Sequence, residues 1–483
     1  MNYIKFSIKT YKNMSIQAKA SIWYTACNIL QKGISFVVIP IYTRLLTTVE
    51  YGAYTVFQSW RDIILIFATL NLYCGVFTKA MVDYQEDRDV YTSSMQGLGS
   101  MVTTLLLLVY LASSGLWRRL LGMGKVTMIL LFVYYYVYPA FSFWSVRQRV
   151  EYKYKKMVAV TILVSVLTPA VSIALLHLTS LREYAVIWGY LFVQILFGLF
   201  FYILNFCKGR VIFHKKYWKH ALKFNIPLIP HYLSLIVLGQ ADRIMIDRYC
   251  GSADAGIYGL AYQVSMALNI VISAVNNAMV PWTYEKLKAA EYKLIRKNFR
   301  YICAFMMLMT IGVILIAPEV VAILSTPEYM TAEWVIPAVA ISVYFTYCYG
   351  LFSNVEFYYS ATKYVMFASS IGAILNIILN AIFIPIFGFV AAGYTTMVCY
   401  FCFMIMHYLF MRKVCLKNNI HEQIYDVKFM AFSCFIITGI GCMCLIVYKY
   451  TLIRYLLILK GGLTAFLFRG RVLAFWSKIK GGK

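Results

Sequence analysis

The chain has 483 residues, of which 62% are hydrophobic and only 13% are charged, and its formal net charge is +26 at pH 7. Soluble globular domains carry about 25% charged residues, and a chain of this length is too long for a single soluble core. The composition therefore excludes an ordinary soluble domain and indicates a membrane protein.

Runs of about 20 apolar residues recur along the whole chain, and each is long enough to cross about 30 Å of hydrocarbon. They lack the alternation of apolar and polar residues that is typical of transmembrane β-strands. We therefore predict an all-α polytopic membrane protein with about 14 transmembrane helices. The last span is the weakest, because it contains Arg454, Lys460 and a Gly-Gly pair. The predicted spans cover about 20–41, 52–78, 93–115, 126–146, 157–177, 185–206, 224–248, 256–282, 300–324, 332–356, 364–384, 389–410, 429–448 and 451–468.

The basic residues are concentrated in alternate connections between the spans. If the N-terminus lies in the cytoplasm, the cytoplasmic segments hold about 33 of the 45 lysines and arginines, and the outer loops hold about 6. This asymmetry follows the positive-inside rule and predicts that both termini are cytoplasmic. We therefore interpret the charge as a topology signal with some attraction to anionic lipids, and not as a nucleic-acid-binding surface.

A short motif, R-x7-G-x-Y, occurs once in each half of the chain. It starts at Arg44 after the first span and again at Arg248 after the seventh, an offset of 204 residues. Because an even number of spans separates the copies, both face the same side, which is typical of a parallel repeat. We expect each motif glycine to end a tight turn before a helix and each motif tyrosine to anchor at the membrane interface.

The repeat predicts two six-helix lobes, at 1–206 and 224–411, joined by a basic cytoplasmic linker at 207–223. Two extra helices and a basic cytoplasmic tail follow at 412–483. The connections are short and leave no room for an extramembrane catalytic domain. No phosphate-binding glycine loop, HExxH motif or acidic pair occurs in a loop, and the 12 cysteines lie mostly within spans. We therefore predict no enzyme activity, no metal site and no cofactor.

The stretch ASIWYTACNILQKGISFVVIPIYTRLLTTVEYGAYTVFQSW at 20–60 resembles the first two spans of bacterial polysaccharide-biosynthesis flippases of the Wzx type. These proteins belong to the multidrug/oligosaccharidyl-lipid/polysaccharide exporter superfamily. The segment P-I-Y-T-R-L-L with Y-G-A-Y is the most specific part of the match. The resemblance implies two six-helix lobes around a central cavity in the bacterial inner membrane. It also implies transport of an undecaprenyl-diphosphate-linked oligosaccharide to the outer leaflet, for O-antigen or capsule biosynthesis, and contacts with polysaccharide polymerase machinery.

Several charged and polar residues lie inside predicted spans, where a charge at the bilayer centre costs at least about 2.5–3.5 kcal/mol. Lys32 is about 18 Å into the first span at 1.5 Å per residue, and Arg61 and Arg243 lie within the second and seventh spans. Asn28 is one helical turn from Lys32, and Gln58 is three residues before Arg61, so each pair shares a helix face. We therefore expect these faces to line a wet cavity.

A diphosphate is the class of ligand that would make such cations worthwhile, because arginine presents a planar fork of donors and lysine a compact charge. We predict that Lys32, Arg61 and Arg243, with Asn28 and Gln58, bind the diphosphate in a cationic central cavity. The mechanism expected for two such lobes is alternating access.

Four acidic residues are candidates for gating or for ion coupling, namely Asp62, Asp242, Asp247 and Glu356, since a desolvated carboxylate can titrate. Adjacent side chains on a helix point about 100° apart, so we expect that Arg61 and Asp62 do not pair with each other. A pair between helices, such as Arg61 with Asp242, would be structural or part of a gate.

The alternative function is export of multidrug cations by a member of the same superfamily. A cationic drug favours acidic and aromatic walls. In the first half of the chain the predicted span charges are Lys32 and Arg61 against Asp62 alone, which favours an anionic substrate. In the second half acids and bases are balanced, and the two functions are not separated there.

Overall fold

The computed structural model describes residues 14–459, and in this range the chain forms 18 α-helices, a further helical stretch at 451–459 and no β-strand. Two 3₁₀ helices, Ile226–Leu228 and Pro327–Trp334, connect some of them. The α-helices in chain order are α1 (Ile16–Leu45), α2 (Thr48–Thr69), α3 (Val76–Asp83), α4 (Arg88–Ala112), α5 (Ser114–Leu121), α6 (Lys125–Val150), α7 (Tyr154–Leu178), α8 (Arg182–Gly209), α9 (Lys215–Asn225), α10 (Ile229–Tyr249), α11 (Ser252–Met266), α12 (Leu268–Lys288), α13 (Tyr292–Leu315), α14 (Ala317–Leu324), α15 (Ile336–Tyr358), α16 (Thr362–Phe387), α17 (Val390–Lys417) and α18 (Val427–Val447).

Twelve helical stretches of the described chain are long and apolar enough to cross a membrane. The predicted all-α polytopic membrane fold is therefore confirmed. The predicted second span is not among the twelve, because the corresponding helix α2 carries several polar residues near its centre. The predicted last span lies largely outside the described residues, and its described part, 451–459, is helical.

The predicted span at 52–78 is interrupted in the structure. Helix α2 ends at Thr69, and Leu70 and Asn71 adopt positive φ angles of 49° and 48° before α3 begins. Positive φ is uncommon for residues other than glycine, so these two residues mark a true helix end. The apolar run continues across this turn, which explains why the sequence pattern alone predicted one continuous helix.

Side-chain caps define where several helices begin. Thr47 and Glu50 form a reciprocal capping box at the start of α2, in which the Glu50 carboxylate accepts from the Thr47 backbone N–H at 2.8 Å. The Ser15 hydroxyl accepts from a backbone N–H of α1, and the Asp426 carboxylate does the same for α18. Each cap satisfies N–H groups that have no partner within the helix.

The described chain divides into two compact units. The first contains the described residues up to Gly259 together with Ala361–Thr395, and in it α8 packs on α6 and α7 while α10 packs on α2 and α16. The second contains Leu260–Ser360 and the described residues from Thr396 onward, and in it α13 packs on α15 and α18. These bounds differ from those of the predicted lobes, and the lobe assignment stays a prediction.

The two copies of the R-x7-G-x-Y motif contact each other in the first unit. A Cβ atom on Gly52 would lie 1.7 Å from the carbonyl oxygen of Ser252, and one on Gly256 would lie 2.4 Å from the carbonyl oxygen of Thr48. Both glycines lie inside helices, α2 and α11, and neither has a positive φ angle. The expectation that they end tight turns is therefore wrong. They permit the close approach of two helix backbones, as small residues do at helix crossings in membranes.

Candidate functional site

Arg61 and Asp62 form an ion pair within α2. The Arg61 Nε and Nη2 atoms donate to Asp62 Oδ1 at 2.9 and 2.6 Å, and the two side chains are 11% and 25% exposed. The guanidinium also lies 4.6 Å from the centroid of the Tyr190 ring. The expectation that these neighbours do not pair is wrong. Their Cβ directions diverge, but the long arginine side chain folds back to reach the adjacent carboxylate.

A chain of hydrogen bonds connects this pair with Arg243 on α10. Gln240 Nε2 donates to Asp62 Oδ2 at 3.2 Å, and Arg243 Nη1 donates to Gln240 Oε1 at 2.5 Å. Ser59 on α2 donates to the same Gln240 oxygen at 3.0 Å. The structure thus brings Arg61 and Arg243 together through Asp62 and Gln240. Gln240 was not predicted as a site residue, although a glutamine inside an apolar span is itself a signal.

Asp242 is the centre of a second polar cluster, which is fully inside the first unit. Its side chain is buried, and Tyr258 Oη donates to one carboxylate oxygen at 2.5 Å while Asn380 Nδ2 donates to the other at 2.7 Å. The Asn380 carbonyl oxygen accepts in turn from the Thr395 hydroxyl, and Asn376 lies one turn away on α16. These donors compensate for part of the cost of burying a carboxylate.

The Asp242 cluster changes two of the expectations from sequence. Tyr258 is buried and bonded to a carboxylate, so it is not an interfacial anchor. Arg61 takes Asp62 as its acidic partner, while the Asp242 carboxylate accepts from Tyr258 and Asn380. The interhelical pair suggested between Arg61 and Asp242 is therefore replaced by two neighbouring polar clusters.

The predicted residues of the first span lie on accessible surface. Lys32 and Asn28 are both exposed on α1. Gln31, between them, donates to the Ser165 hydroxyl of α7 at 3.2 Å and so helps to hold α1 in place. Gln58 is half-buried and donates to the Tyr54 hydroxyl one turn earlier on α2, at 2.8 Å. On α1, therefore, Asn28 and Lys32 are exposed, and Gln31 contacts α7.

Two further acidic candidates have local partners. Asp247 accepts from the Ser252 hydroxyl at 2.5 Å, where α10 ends and α11 begins. Glu356, in the second unit, is completely buried and lies 3.0 Å from His407 Nδ1, whose ring stacks on Tyr349 at 5.3 Å. His407 was not predicted as a partner, because fifty-one residues separate it from Glu356.

An apolar groove of about 520 Å³ lies in the second unit beside α18. Its walls come from α15, α17 and α18, and it has no charged lining residue among the described ones. A groove of this kind has the chemistry to accept hydrocarbon. Its large lining side chains include Phe345, Phe401, Met404, Met430 and Phe435.

Two proteins of Haemophilus influenzae are similar to this chain in sequence. The chain is 24% identical over 380 residues to a protein of the Lsg locus of Haemophilus influenzae, which covers 74% of this chain and 89% of the relative. It is also 24% identical over 384 residues to an uncharacterized membrane protein of the same organism, with coverage of 75% and 89%.

Solved structures with a similar fold are transporters. The lipid II flippase MurJ in an inward closed conformation matches with a TM-score of 0.65 and 15% identity, covering 93% of this chain and all of that one (100%). An inward-facing multidrug resistance transporter of the MATE family and MOP superfamily matches with a TM-score of 0.56 and 14% identity, covering 81% and 96%. At these identities the likeness concerns the fold.

The family model described as polysaccharide biosynthesis protein matches residues 18–287, which is more than half of the chain. The family expected from the 20–60 stretch is thereby confirmed. With its many apolar helices, the chain belongs to the polysaccharide biosynthesis protein family of membrane proteins.

Proposed function

We propose that this protein is a flippase that moves an undecaprenyl-diphosphate-linked oligosaccharide from the cytoplasmic to the outer leaflet of the bacterial inner membrane. The product would serve O-antigen or capsule biosynthesis. The proposal rests on one observation. A membrane protein of the polysaccharide biosynthesis family contains two arginines, Arg61 and Arg243, that are connected by hydrogen bonds inside its helical first unit. Buried cations in a membrane protein mark a pathway for a polar or charged group more often than a packing feature.

The charges around Arg61 suggest how the diphosphate would bind. Asp62 uses the Nε and Nη2 atoms of Arg61, so the pair is electrically neutral in this structure. A diphosphate would compete with Asp62 for the guanidinium fork, and Gln240 would retain the displaced carboxylate. Lys32, which is exposed on α1, would make the first contact with the incoming headgroup. Arg243, Asn28 and Gln58 complete the proposed set.

Ion coupling is proposed for Asp242. Asp242 is buried and accepts hydrogen bonds from two neutral side chains, Tyr258 on α11 and Asn380 on α16. A carboxylate in such a place changes its charge state when a proton or a sodium ion arrives, which would bias alternating access.

The other three acidic candidates have other partners. Asp62 belongs to the proposed diphosphate site, and Asp247 accepts from the Ser252 hydroxyl at the junction of α10 and α11. Glu356 is buried, but its partner is the basic side chain of His407.

The decisive experiment replaces Lys32 in the source bacterium by alanine and by arginine at matched membrane levels. Surface polysaccharide and the internal pool of lipid-linked glycan are measured in both strains. We expect alanine to abolish surface glycan and to raise the precursor pool, and arginine to restore part of the export. Lys293→Ala, which removes an exposed lysine of α13, is the matched control. Normal export by Lys32→Ala would remove Lys32 from the proposed site.

The proposed topology has a separate test. Reporter fusions after residues 182, 215, 330 and 415 should lie outside, inside, outside and inside the cell, with both termini in the cytoplasm. Any other order would contradict the assignment of two six-helix lobes.

Export of multidrug cations is the second candidate, because the fold also matches a MATE-family multidrug transporter. The two functions differ in their response to Lys32→Ala. Removing a cation would leave drug resistance unchanged or raise it, whereas it would impair the export of an anionic lipid-linked glycan.

A further inference from the structure

Helix α9 is a short amphipathic helix that packs within the first unit. Its buried residues, Tyr217, Ala221 and Asn225, recur every four positions and so form one face. Tyr217 Oη donates to Asp87 at 2.7 Å, and Trp218 Nε1 donates to a backbone carbonyl of α4 at 3.0 Å. Asn225 donates to two backbone carbonyls of the turn after α2, each at 2.9 Å. The opposite face of α9 therefore has a defined position.

That opposite face carries a row of lysines. Lys215, Lys219 and Lys223 are also spaced by four residues, and all three are exposed. They line a groove of about 660 Å³, and the described residues that line this groove include no acid. The segment 207–223 contributes further positive charge and contains no aspartate or glutamate. The three lysines thus form a concentrated positive surface, and no carboxylate among the described lining residues of the groove neutralises their charge.

The floor and rim of the groove are apolar. Trp218, Leu222 and Pro227 line it together with the lysines, and Phe213 packs edge-on against Trp218 at 4.7 Å between ring centroids. Phe213 is 61% exposed, and the groove residue Ile226 is 53% exposed. Large apolar side chains so exposed beside a row of lysines are typical of a helix that lies in the membrane interface.

We propose that the groove along α9 is a binding site for the headgroup of an anionic phospholipid. The three lysines would contact the phosphate, and the apolar floor would contact the glycerol and the first carbons of the acyl chains. Inorganic phosphate would use the lysines but not the floor, and a soluble acidic partner would leave Phe213 and Ile226 in water. The placement of this site in the cytoplasmic leaflet rests on the topology under the proposed function.

The site lies at a position where a bound lipid would affect the whole transporter. Helix α9 connects α8 to α10, and α10 carries Asp242 and Arg243. A lipid held in the groove would therefore anchor the start of the helix that contributes to both polar clusters. The bound lipid would act as a structural partner and is distinct from the transported lipid.

The test is native mass spectrometry of the purified full-length protein in detergent, titrated with phosphatidylglycerol or with phosphatidylcholine of the same acyl chains. We expect preferential binding of phosphatidylglycerol that weakens with added salt. The substitutions Lys215→Gln, Lys219→Gln and Lys223→Gln together should lower that affinity roughly 100-fold, because each lysine near the surface contributes to binding an anionic lipid. Replacing the same three residues by arginine should preserve it.

A matched control removes three exposed lysines elsewhere, Lys288, Lys293 and Lys297, by the same change to glutamine. An equal loss in this control, or equal binding of the two lipids by the unaltered protein, would overturn the proposal. Competition by millimolar inorganic phosphate would reduce the site to an anion site. Equal melting temperatures of all variants would exclude unfolding as the cause.

The outcome is separable from that of the proposed function. Lipid binding is measured on the isolated protein without any glycan, whereas the Lys32 experiment measures glycan export in cells. A protein that binds phosphatidylglycerol at α9 and exports no glycan would keep this inference and lose the proposed substrate. Reversed topology would move the site to the outer leaflet and leave its chemistry unchanged.

Discussion

Replacing Gly52 with alanine would insert a methyl group into the backbone contact between α2 and α11. The added carbon would lie 1.7 Å from the Ser252 carbonyl oxygen and 3.1 Å from the Gly256 nitrogen. Unstrained contacts between heavy atoms need about 3.5 Å, so the helices would have to separate by roughly 1.8 Å. No rotamer change can relieve this clash, because the obstructing atoms belong to the backbone.

The expected cost follows from two opposing effects. Overpacking costs typically about 1–3 kcal/mol, and a clash with backbone should lie at the upper end. Alanine recovers up to about 1 kcal/mol through its higher helix propensity. We therefore expect Gly52→Ala to destabilise the protein by about 2 kcal/mol. Gly256→Ala, with its Cβ 2.4 Å from the Thr48 carbonyl oxygen, should behave alike.

The assay is thermal unfolding of the purified protein in detergent, followed by intrinsic fluorescence. Gly99→Ala is the control, because Gly99 lies within α4 and a Cβ there would meet nothing within 4 Å. We expect Gly52→Ala to lower the melting temperature by several degrees and Gly99→Ala to leave it unchanged or raise it. Equal melting temperatures for the two variants would refute the proposed backbone contact between the motif copies.

Three further predictions concern carboxylates. Asp62→Ala should destabilise the protein by about 3 kcal/mol, because it leaves the buried Arg61 guanidinium without its acidic partner. The added substitution Arg61→Met should recover stability. A melting curve that is unchanged by Asp62→Ala would contradict the pairing. Asp242→Asn should leave the protein folded but abolish the dependence of transport on pH or sodium in membrane vesicles; a retained dependence would remove Asp242 as the coupling group. Burial raises the pKa of Asp426, but a backbone N–H of α18 and the Arg300 guanidinium outweigh it, so the pKa is lowered. Its contribution to stability should therefore be present at neutral pH and be lost progressively as the pH falls below about 4 and through the lowered pKa of Asp426. Melting curves of the unaltered protein and of Asp426→Asn test this, and a difference between them that does not shrink as the pH falls below about 4 would contradict it.

Helix positions followed well from the sequence, because the bilayer imposes a length and a polarity on every membrane span. The apolar runs predicted the helices, and the paired motifs at Arg44 and Arg248 indicated a relation between the halves of the chain. The helix breaks after Thr69, Met266 and Leu315 fall inside predicted spans and were missed, since the apolar pattern runs through each of them. Periodicity reports which residues avoid water, and it is insensitive to a turn that is itself buried.

The sequence identified which charged residues are unusual, but it did not identify the residues to which they bond. Composition and span position singled out Lys32, Arg61, Arg243 and Asp242, since a charge inside a span is costly and therefore unusual. Only the tertiary structure joined Arg61 to Arg243 through Gln240, because hydrogen bonds depend on distances between helices that are far apart in the chain. The spacing of Arg61 and Asp62 along the helix also did not reveal that the long arginine side chain reaches the adjacent carboxylate.

The sequence by itself determined the class of the protein, its helices, its family resemblance and the unusual residue types within its spans. These properties depend on local composition and on the fixed thickness of the bilayer. The tertiary structure decided which partner each of these residues has. A residue type can have different roles in different surroundings. Gly52 was expected in a turn and lies at a helix crossing. Tyr258 was expected at the membrane interface and donates a hydrogen bond to a buried carboxylate.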